Sequence, residues 1–332
     1  MSDYDEQAFT LQSYTPDAAE VWNACVAQTR SASFLFFRAY LDYHASRFTD
    51  ASLLFYARRG QLLAVLPACQ SPADTSFVVS HAGLTYGGLL TTSAVTTSLA
   101  CHMLRAACRH YAAQGYREFI YKPAPYIYKE YPAEEDLYAL FRLKGRLCTR
   151  AASSVISLAQ PLPWSTLRRR KVRKAALQPA LVVESDAAHV AAFWQLLDVV
   201  LSTRHGVHPV HTLAEMQMLM ERFPRDIRLF TVHVGTDKRL CAGCLMYFTR
   251  CVAHVQYIAA SDEGRAIGAL DYLFSHLLAH IEQVAPGSRY FDFGISTEQG
   301  GSVLNEGLIF QKEGYGARTV CYDSYVLPLS QD

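Results

Sequence analysis

Charge is scarce in this sequence. Asp, Glu, Lys and Arg make up 18% of the 332 residues, and the two signs cancel to a formal net charge of +1. That balance excludes a protein whose whole surface is built to hold nucleic acid or an anionic membrane; such a partner would need a local patch. With 51% apolar residues the chain can bury a large core, and disorder is not expected. Long hydrophobic runs are also missing: charge or His interrupts every apolar stretch well before about 18 residues, so no membrane span is expected. The N-terminus, MSDYDEQAFTLQSY, lacks the basic and apolar regions of a signal peptide. Nine cysteines, an odd number, are scattered among apolar segments, which points to reduced, buried thiols and a cytoplasmic location. Cys241-Ala-Gly-Cys244 has no second pair to complete a zinc site and lies in a strand pattern, so packing is its expected role. The histidines of RHGVHPVH, Arg204 to His211, lack a carboxylate or cysteine at metal-ligand spacing. No metal site is expected, and His208 is left as a candidate contact for an acceptor.

What the sequence does have is a weak internal repeat, offset by roughly 170 residues. PDAAEVWNA from Pro16 is echoed by SDAAHVAAFW from Ser185, each opening a helix. ASLLFYARRGQLLAVLPA reads as two strands about Gly60, and IRLFTVHVGTDKRLCAGCLMYF does the same about Gly235. A third strand follows each hairpin, at 77–82 and 252–260, then a glycine turn and a long helix. In the second half Leu270, Leu273, Phe274, Leu277, Leu278 and Ile281 form one helical stripe; the first-half counterpart runs through about 95–114. Further strands, REFIYKP at 117–123 and RYFDFG at 289–294, precede a short helix and a closing strand in each half. The expected fold is therefore α/β, in two tandem domains at 1–160 and 161–332, joined near the prolines of AQPLPW. Each is expected to hold a mixed, mostly antiparallel sheet flanked by helices, with a parallel crossover after the third strand. Ligands in such sheets sit where neighbouring strands part, here at the ends of 252–260 and 289–294.

HVQYIAASDEGRAIGALDYL, FDFGIS and LNEGLIFQKEGYGAR together resemble the GNAT N-acyltransferase superfamily, and more narrowly its duplicated FemAB/FemX-like branch. The resemblance covers nearly the whole chain and implies two GNAT-like domains with a strand splay in the second. It implies an N-acyltransferase that moves an acyl or aminoacyl group from acyl-CoA or aminoacyl-tRNA, with no tightly bound cofactor. The acceptor would be an amine on an amino sugar, an amino acid or a peptidoglycan-like precursor of the bacterial cell envelope. The family's Arg/Gln-x-x-Gly-x-Gly/Ala turn, which wraps the pyrophosphate of acetyl-CoA, is matched by Arg265-Ala-Ile-Gly268-Ala-Leu270 at the first and fourth positions, with Leu at the sixth. Where many members have a tyrosine acid, this sequence has Phe310. The alternative reading is a non-catalytic ligand-binding protein on a degenerate GNAT fold.

The residues themselves offer the following chemistry. Ser261, Gly264, Arg265 and Gly268 stand where a strand feeds a helix, a place that can hold a phosphate, or where Ser261 is simply a cap and the glycines serve packing. His254 shares a strand face with Gln256 and next to Tyr257; it is a candidate general base or a satisfied, partly buried histidine. Asp292, at a strand end, can orient or deprotonate an ammonium nucleophile, and Lys312 can neutralise a phosphate or a developing oxyanion. Ser296, Asn305 and Tyr315 are candidates to anchor either substrate. The run Arg168-Arg-Arg-Lys-Val-Arg-Lys174, with Arg169 and Lys171, is a candidate grip on phosphates or a solvated helix face. In the first half His81 and Gly83 to Gly88 take the place of the phosphate turn without its arginine, and Lys122, Tyr126 and Tyr128 follow the strand that matches FDFG. That half is expected to help hold the acceptor.

Overall fold

The computed structural model describes residues 9–178, 182–184 and 187–329. Ser185 and Asp186, which open the second copy of the repeated motif, lie outside the described residues. Along the chain the strands are β1 (Phe9–Ser13), β2 (Leu53–Ala57), β3 (Leu62–Leu66), β4 (Cys69–Gln70), β5 (Phe77–Val79), β6 (Leu90–Thr91), β7 (Glu118–Tyr121) and β8 (Arg146–Ser157). They continue with β9 (Val182–Glu184), β10 (Ile227–Val234), β11 (Arg239–Phe248), β12 (Val252–Ala260), β13 (Tyr290–Ile295), β14 (Thr297–Glu298), β15 (Val303–Leu304) and β16 (Arg318–Pro328). The helices are α1 (Ala19–Gln28), α2 (Arg38–Leu41), α3 (Thr97–Ala113), α4 (Glu135–Arg142), α5 (Thr166–Ala176), α6 (Val190–His205), α7 (Leu213–Arg222), α8 (Asp262–Ile267), α9 (Ala269–Ala279), α10 (Ile281–Val284) and α11 (Glu306–Glu313). The α/β class, the repeated element order and the parallel crossovers agree with the sequence reading.

The chain forms two compact units whose borders differ from a cut at 160. The first unit runs to Ala152 and takes in Thr297–Val303 and the chain from Val320; the second comprises Ser153–Ser296 and Leu304–Thr319. The closing strands therefore do not follow the halves of the sequence: the end of β8, from Ser153, belongs to the second unit and pairs with β13 (Asp292↔Val155), and β16, from Val320, belongs to the first and pairs with β7 (Val326↔Ile120).

In the first unit β1, β2, β3 and β6 form one antiparallel sheet, and β4, β5, β7 and β16 line up in another. Pro67 separates β3 from β4. A proline has no N–H for a ladder, so the strand that is continuous in the second half (β11) is interrupted in the first. The core lies under α3, whose Ala100, Met103, Leu104, Ala107 and Tyr111 pack on Phe55, Leu66, Phe119 and Tyr121.

In the second unit the order is β8, β13, β12, β11, β10, β9, with β12 and β13 parallel and the rest antiparallel. Helix α7 starts with a capping box, Thr212 and Glu215 exchanging side-chain and backbone bonds. Leu273, Phe274 and Leu277 of α9 are buried on Phe291, Phe293 and Met246; each such side chain contributes about 1.5–3 kcal/mol. The expected stripe to Ile281 is not one helix. It breaks at His280, whose backbone leaves the helical region (φ −114°, ψ 22°) and whose Nδ1 bonds the His276 carbonyl. Cys241 and Cys244 are both fully buried, and the Cys241 thiol donates to the Val232 carbonyl, which makes them core residues.

Candidate active site

Strands β12 and β13 pair at Val252↔Tyr290, Ala253↔Phe291 and His254↔Asp292, and there the ladder ends although β12 runs on to Ala260. Two local features part them. Opposite β11 the register slips between Leu245 and Met246, leaving Gln256 as an extra residue in β12, and a bulge of this kind sharpens strand twist. On the other side Gly294 adopts φ +77°, a conformation that favours glycine, and turns β13 away. Its N–H bonds the Asp292 carboxylate (Oδ1, 2.8 Å) instead of a neighbouring strand.

At the point of parting stands a buried polar group of three side chains. Asp292 is fully buried and accepts bonds from Ser153 Oγ (2.6 Å, to Oδ1) and from His254 Nδ1 (2.8 Å, to Oδ2). An ionised carboxylate only accepts, so Nδ1 carries the proton and Nε2 is the basic nitrogen of the ring. The His254 side chain is 17% exposed, enough for a small reacting group to meet its edge. Ser153, on the closing strand of the first half, was not singled out from sequence; one serine within AASSVISL carries no signal of its own. Lys312, on α11, is buried, and its Nζ donates to the carbonyls of Gly294 (2.8 Å) and Ile295 (2.8 Å). Burial pushes its pKa down to about 8, with Asp292 pulling the other way.

Beyond the dyad opens a cleft of about 450 Å³, lined among others by Val255 and Phe293, one residue past His254 and Asp292. Gln256, Lys171, Gly264, Arg265, Gly268 and Lys312 all line it, as do Arg168 and Arg204. Five basic side chains (Arg168, Lys171, Arg204, Arg265, Lys312) thus meet one lining carboxylate, Asp271. Asp271 is itself engaged: Arg168 Nη1 lies 2.8 Å from it and the Tyr315 hydroxyl 3.1 Å, with the Arg168 guanidinium over the Tyr315 ring. The lining is cationic and suited to an anionic ligand.

The turn after β12 is more internally committed than the phosphate reading expects. Ser261 caps α8 by accepting from Gly264 N (3.0 Å), and Arg265 bonds the Ala260 carbonyl and the Asp262 carboxylate. A Cβ at Gly264 would stand 2.0 Å from the Cys241 carbonyl oxygen, so packing against β11 alone requires that glycine. Gly268, at φ +85°, joins α8 to α9.

Other candidates lie outside the cleft lining. Asn305 caps α11 through Leu308 N (3.0 Å). The Tyr257 hydroxyl bonds His211 Nδ1 (2.7 Å), and its ring meets Trp194 edge-on. Tyr315, expected to touch substrate, is 1% exposed and stacked on Phe293; burial and Asp271 push its pKa up. Arg169 is exposed and bonds Thr166, and exposed His208 pairs with Asp198. Ser296 is buried beside Ile295, and its Oγ has no hydrogen-bond partner among the described residues.

Among the described residues, the first unit has no counterpart of the His254–Asp292 pair. Its parallel pair β5 and β7 has Val79↔Ile120 as the third rung, where the second unit has His254↔Asp292. Beyond it the ladder also ends, and local bonds fill the place: Lys122 N bonds Ser80 Oγ (2.7 Å), and the segment after β5 contributes Gly87 N to the Lys122 carbonyl (2.8 Å) and Leu89 N to the Tyr121 hydroxyl (2.6 Å). Lys122, expected to face an acceptor, instead holds the carbonyls of His81 and Leu84. Tyr128 is buried against Tyr322, while Tyr126 is exposed.

Residues 165–299 match the family model of the acetyltransferase (GNAT) domain. No curated protein matches the sequence. Among solved structures, FemX is similar over 97% of this chain and 98% of its own, at 12% identity and a TM-score of 0.67. L-PGS from Bacillus licheniformis is similar over 97% of this chain and 93% of its own (12% identity, TM-score 0.58). A tandem GNAT protein from the clavulanic acid biosynthesis pathway is similar over 98% and 99% (9% identity, TM-score 0.53). At such identities the likeness is one of fold.

Proposed function

On the premise that this chain is a GNAT-superfamily protein of the tandem, FemX-like fold, we propose that its second unit is an N-acyltransferase site. The β12–β13 crevice holds the activated carboxyl of an acyl-CoA or aminoacyl-tRNA, and an amine on an amino sugar, an amino acid or a cell-envelope precursor attacks it. The amine nitrogen forms a bond to the carbonyl carbon, the C–S or C–O bond of the donor breaks, and His254 Nε2 takes the proton that the amine loses and passes it to the departing thiolate or ribose oxygen, which leaves as a thiol or hydroxyl. Asp292 fixes the tautomer and stabilises the imidazolium, and Ser153 and Gly294 N hold Asp292 in place. Placing the amine against the carbonyl supplies most of the acceleration, so no covalent enzyme intermediate is needed. Lys171 and Arg204 meet the donor's phosphates at the cleft wall, since Arg168 is tied to Asp271 and Arg265 to Ala260 and Asp262.

The observation that carries this reading is the buried Asp292–His254 pair standing where the two parallel strands separate. Calorimetric titration of the full chain with CoA, acetyl-CoA and charged tRNA tests it. Binding of acetyl-CoA or charged tRNA, weakened by Lys171→Glu, supports it; heat from neither sinks it. The self-satisfied turn at Ser261, Gly264 and Arg265 favours a second reading, a protein that binds a ligand there without turning it over. Binding without any transfer to amines would favour that one.

A further inference from the structure

Where β13 leaves β12, its backbone must find new partners. A backbone carbonyl that loses its strand partner and meets neither water nor another donor costs free energy comparable to a lost hydrogen bond. The N–H of Gly294 is met by Asp292 (2.8 Å), and the carbonyls of Gly294 and Ile295 are both met by the single ammonium of Lys312 (2.8 Å each). The next carbonyl, that of Ser296, accepts from the N–H of Asn305 (2.9 Å), at the cap of the same helix that carries Lys312. Side chains and one loop thus replace the partner strand at three consecutive residues. In the first unit the segment after β5 fills the equivalent place instead, with Gly87 N bonding the Lys122 carbonyl and Lys122 N bonding Ser80 Oγ.

We propose that Lys312 is a positioning residue rather than a catalytic one: it is the strut that keeps the end of β13 apart from β12, so that the crevice exists before any donor arrives. Two of its three N–H donors are directed at the strand carbonyls, which leaves it poorly placed to hold an oxyanion. Without the ammonium, Gly294 and Ile295 either swing back toward the open edge of β12 and close the crevice, or fluctuate between the two arrangements. The strut itself stands on the geometry alone; its link to donor binding rests on the acyl-transfer reading.

The experiment uses the full chain with Lys312→Met, which keeps the length without the donors, and Lys312→Gln, which keeps amide N–H donors without the charge. Amide hydrogen exchange at residues 293–296 is followed in each, with residues 252–254 as an internal control, and acetyl-CoA affinity is measured in parallel by calorimetry. The strut predicts exchange at 293–296 at least tenfold faster in Lys312→Met, an intermediate value in Lys312→Gln, and an unchanged control. It predicts acetyl-CoA affinity falling in the same order, at least tenfold in Lys312→Met. Unchanged exchange at 293–296 in a folded Lys312→Met overturns the proposal, as does a Lys312→Gln no better than Lys312→Met, because charge and not donation would then be what matters. Should Lys312→Met not fold, Lys312→Gln against wild type decides: unchanged exchange overturns the proposal, faster exchange supports it. If wild type binds no acetyl-CoA, the exchange results still decide on the strut, while the donor assignment fails separately.

Discussion

Replacing Asp292 by asparagine changes one atom of a buried carboxylate and, on this account, moves the proton on His254. The oxygen that accepts from Ser153 (2.6 Å) and Gly294 N (2.8 Å) can be kept, since an amide retains one carbonyl oxygen. The atom 2.8 Å from His254 Nδ1 then becomes an NH₂ donor. Two donors cannot face each other, so Nδ1 must give up its hydrogen and Nε2 must take it, converting the basic edge of the ring into a donor. The two tautomers then differ by at least one buried hydrogen bond, about 1–3 kcal/mol, which is a population ratio of roughly fivefold to a hundredfold. Losing a general base in this way lowers transfer by about 10²–10⁴. The assay has two parts. Long-range ¹H–¹⁵N correlation of the imidazole shows which nitrogen carries the proton, without any substrate, and steady-state transfer from the donor found by titration gives the rate. A His254 that keeps its proton on Nδ1 in Asp292→Asn, or a rate within threefold of wild type, would refute the reasoning.

Three further predictions concern the framework. His81, buried against His44 and held down to a pKa of about 3 by burial first and by His44, Lys122 and Arg38 next, takes no proton in the folded state near pH 5. The unfolded chain does, below about 6.5, so stability falls as pH falls, by about 2 kcal/mol between pH 7 and 5; urea unfolding of His81→Asn, which tolerates the φ of +60° there, should show that much less acid loss than wild type. Gly264→Ala should lower stability by about 3 kcal/mol or more, because its methyl meets the Cys241 carbonyl backbone; thermal unfolding within 1 °C of wild type would contradict this. Asp271→Leu, which leaves the buried Arg168 unpaired, should cost about 3–5 kcal/mol, and adding Arg168→Met should recover most of it in denaturant melts.

Much of the fold was legible because period-two strands bounded by glycine turns recur at matching places in both halves. The ranges of β12 and β13 followed from VAHVQYIAA and RYFDFG. The exchange of closing strands was not legible, since β8 and β16 read as strands whichever unit they join. At the site, His254 and Asp292 stood out as polar residues in apolar strands. That they bond each other depends on a parallel register across 38 positions, which alternation alone does not set. Ser153 reaches Asp292 from 139 positions away, and no local pattern marks it. Tyr315, a candidate to anchor a substrate, stacks into the core instead, and nothing local shows that Phe293 meets its ring and Asp271 its hydroxyl. Lys312 looked like free positive charge, and only the strand carbonyls it meets reveal its other use.

The most direct test is a pair of crystal structures of the full chain, one with acetyl-CoA and one with a stable aminoacyl-adenosine amide. The account predicts that at least one ligand lies with its carbonyl carbon between Val255–Gln256 and Gly294–Ile295, within reach of His254 Nε2. Crystals in which β12 and β13 stay hydrogen-bonded past His254 and Asp292, or in which both ligands bind elsewhere, would contradict it.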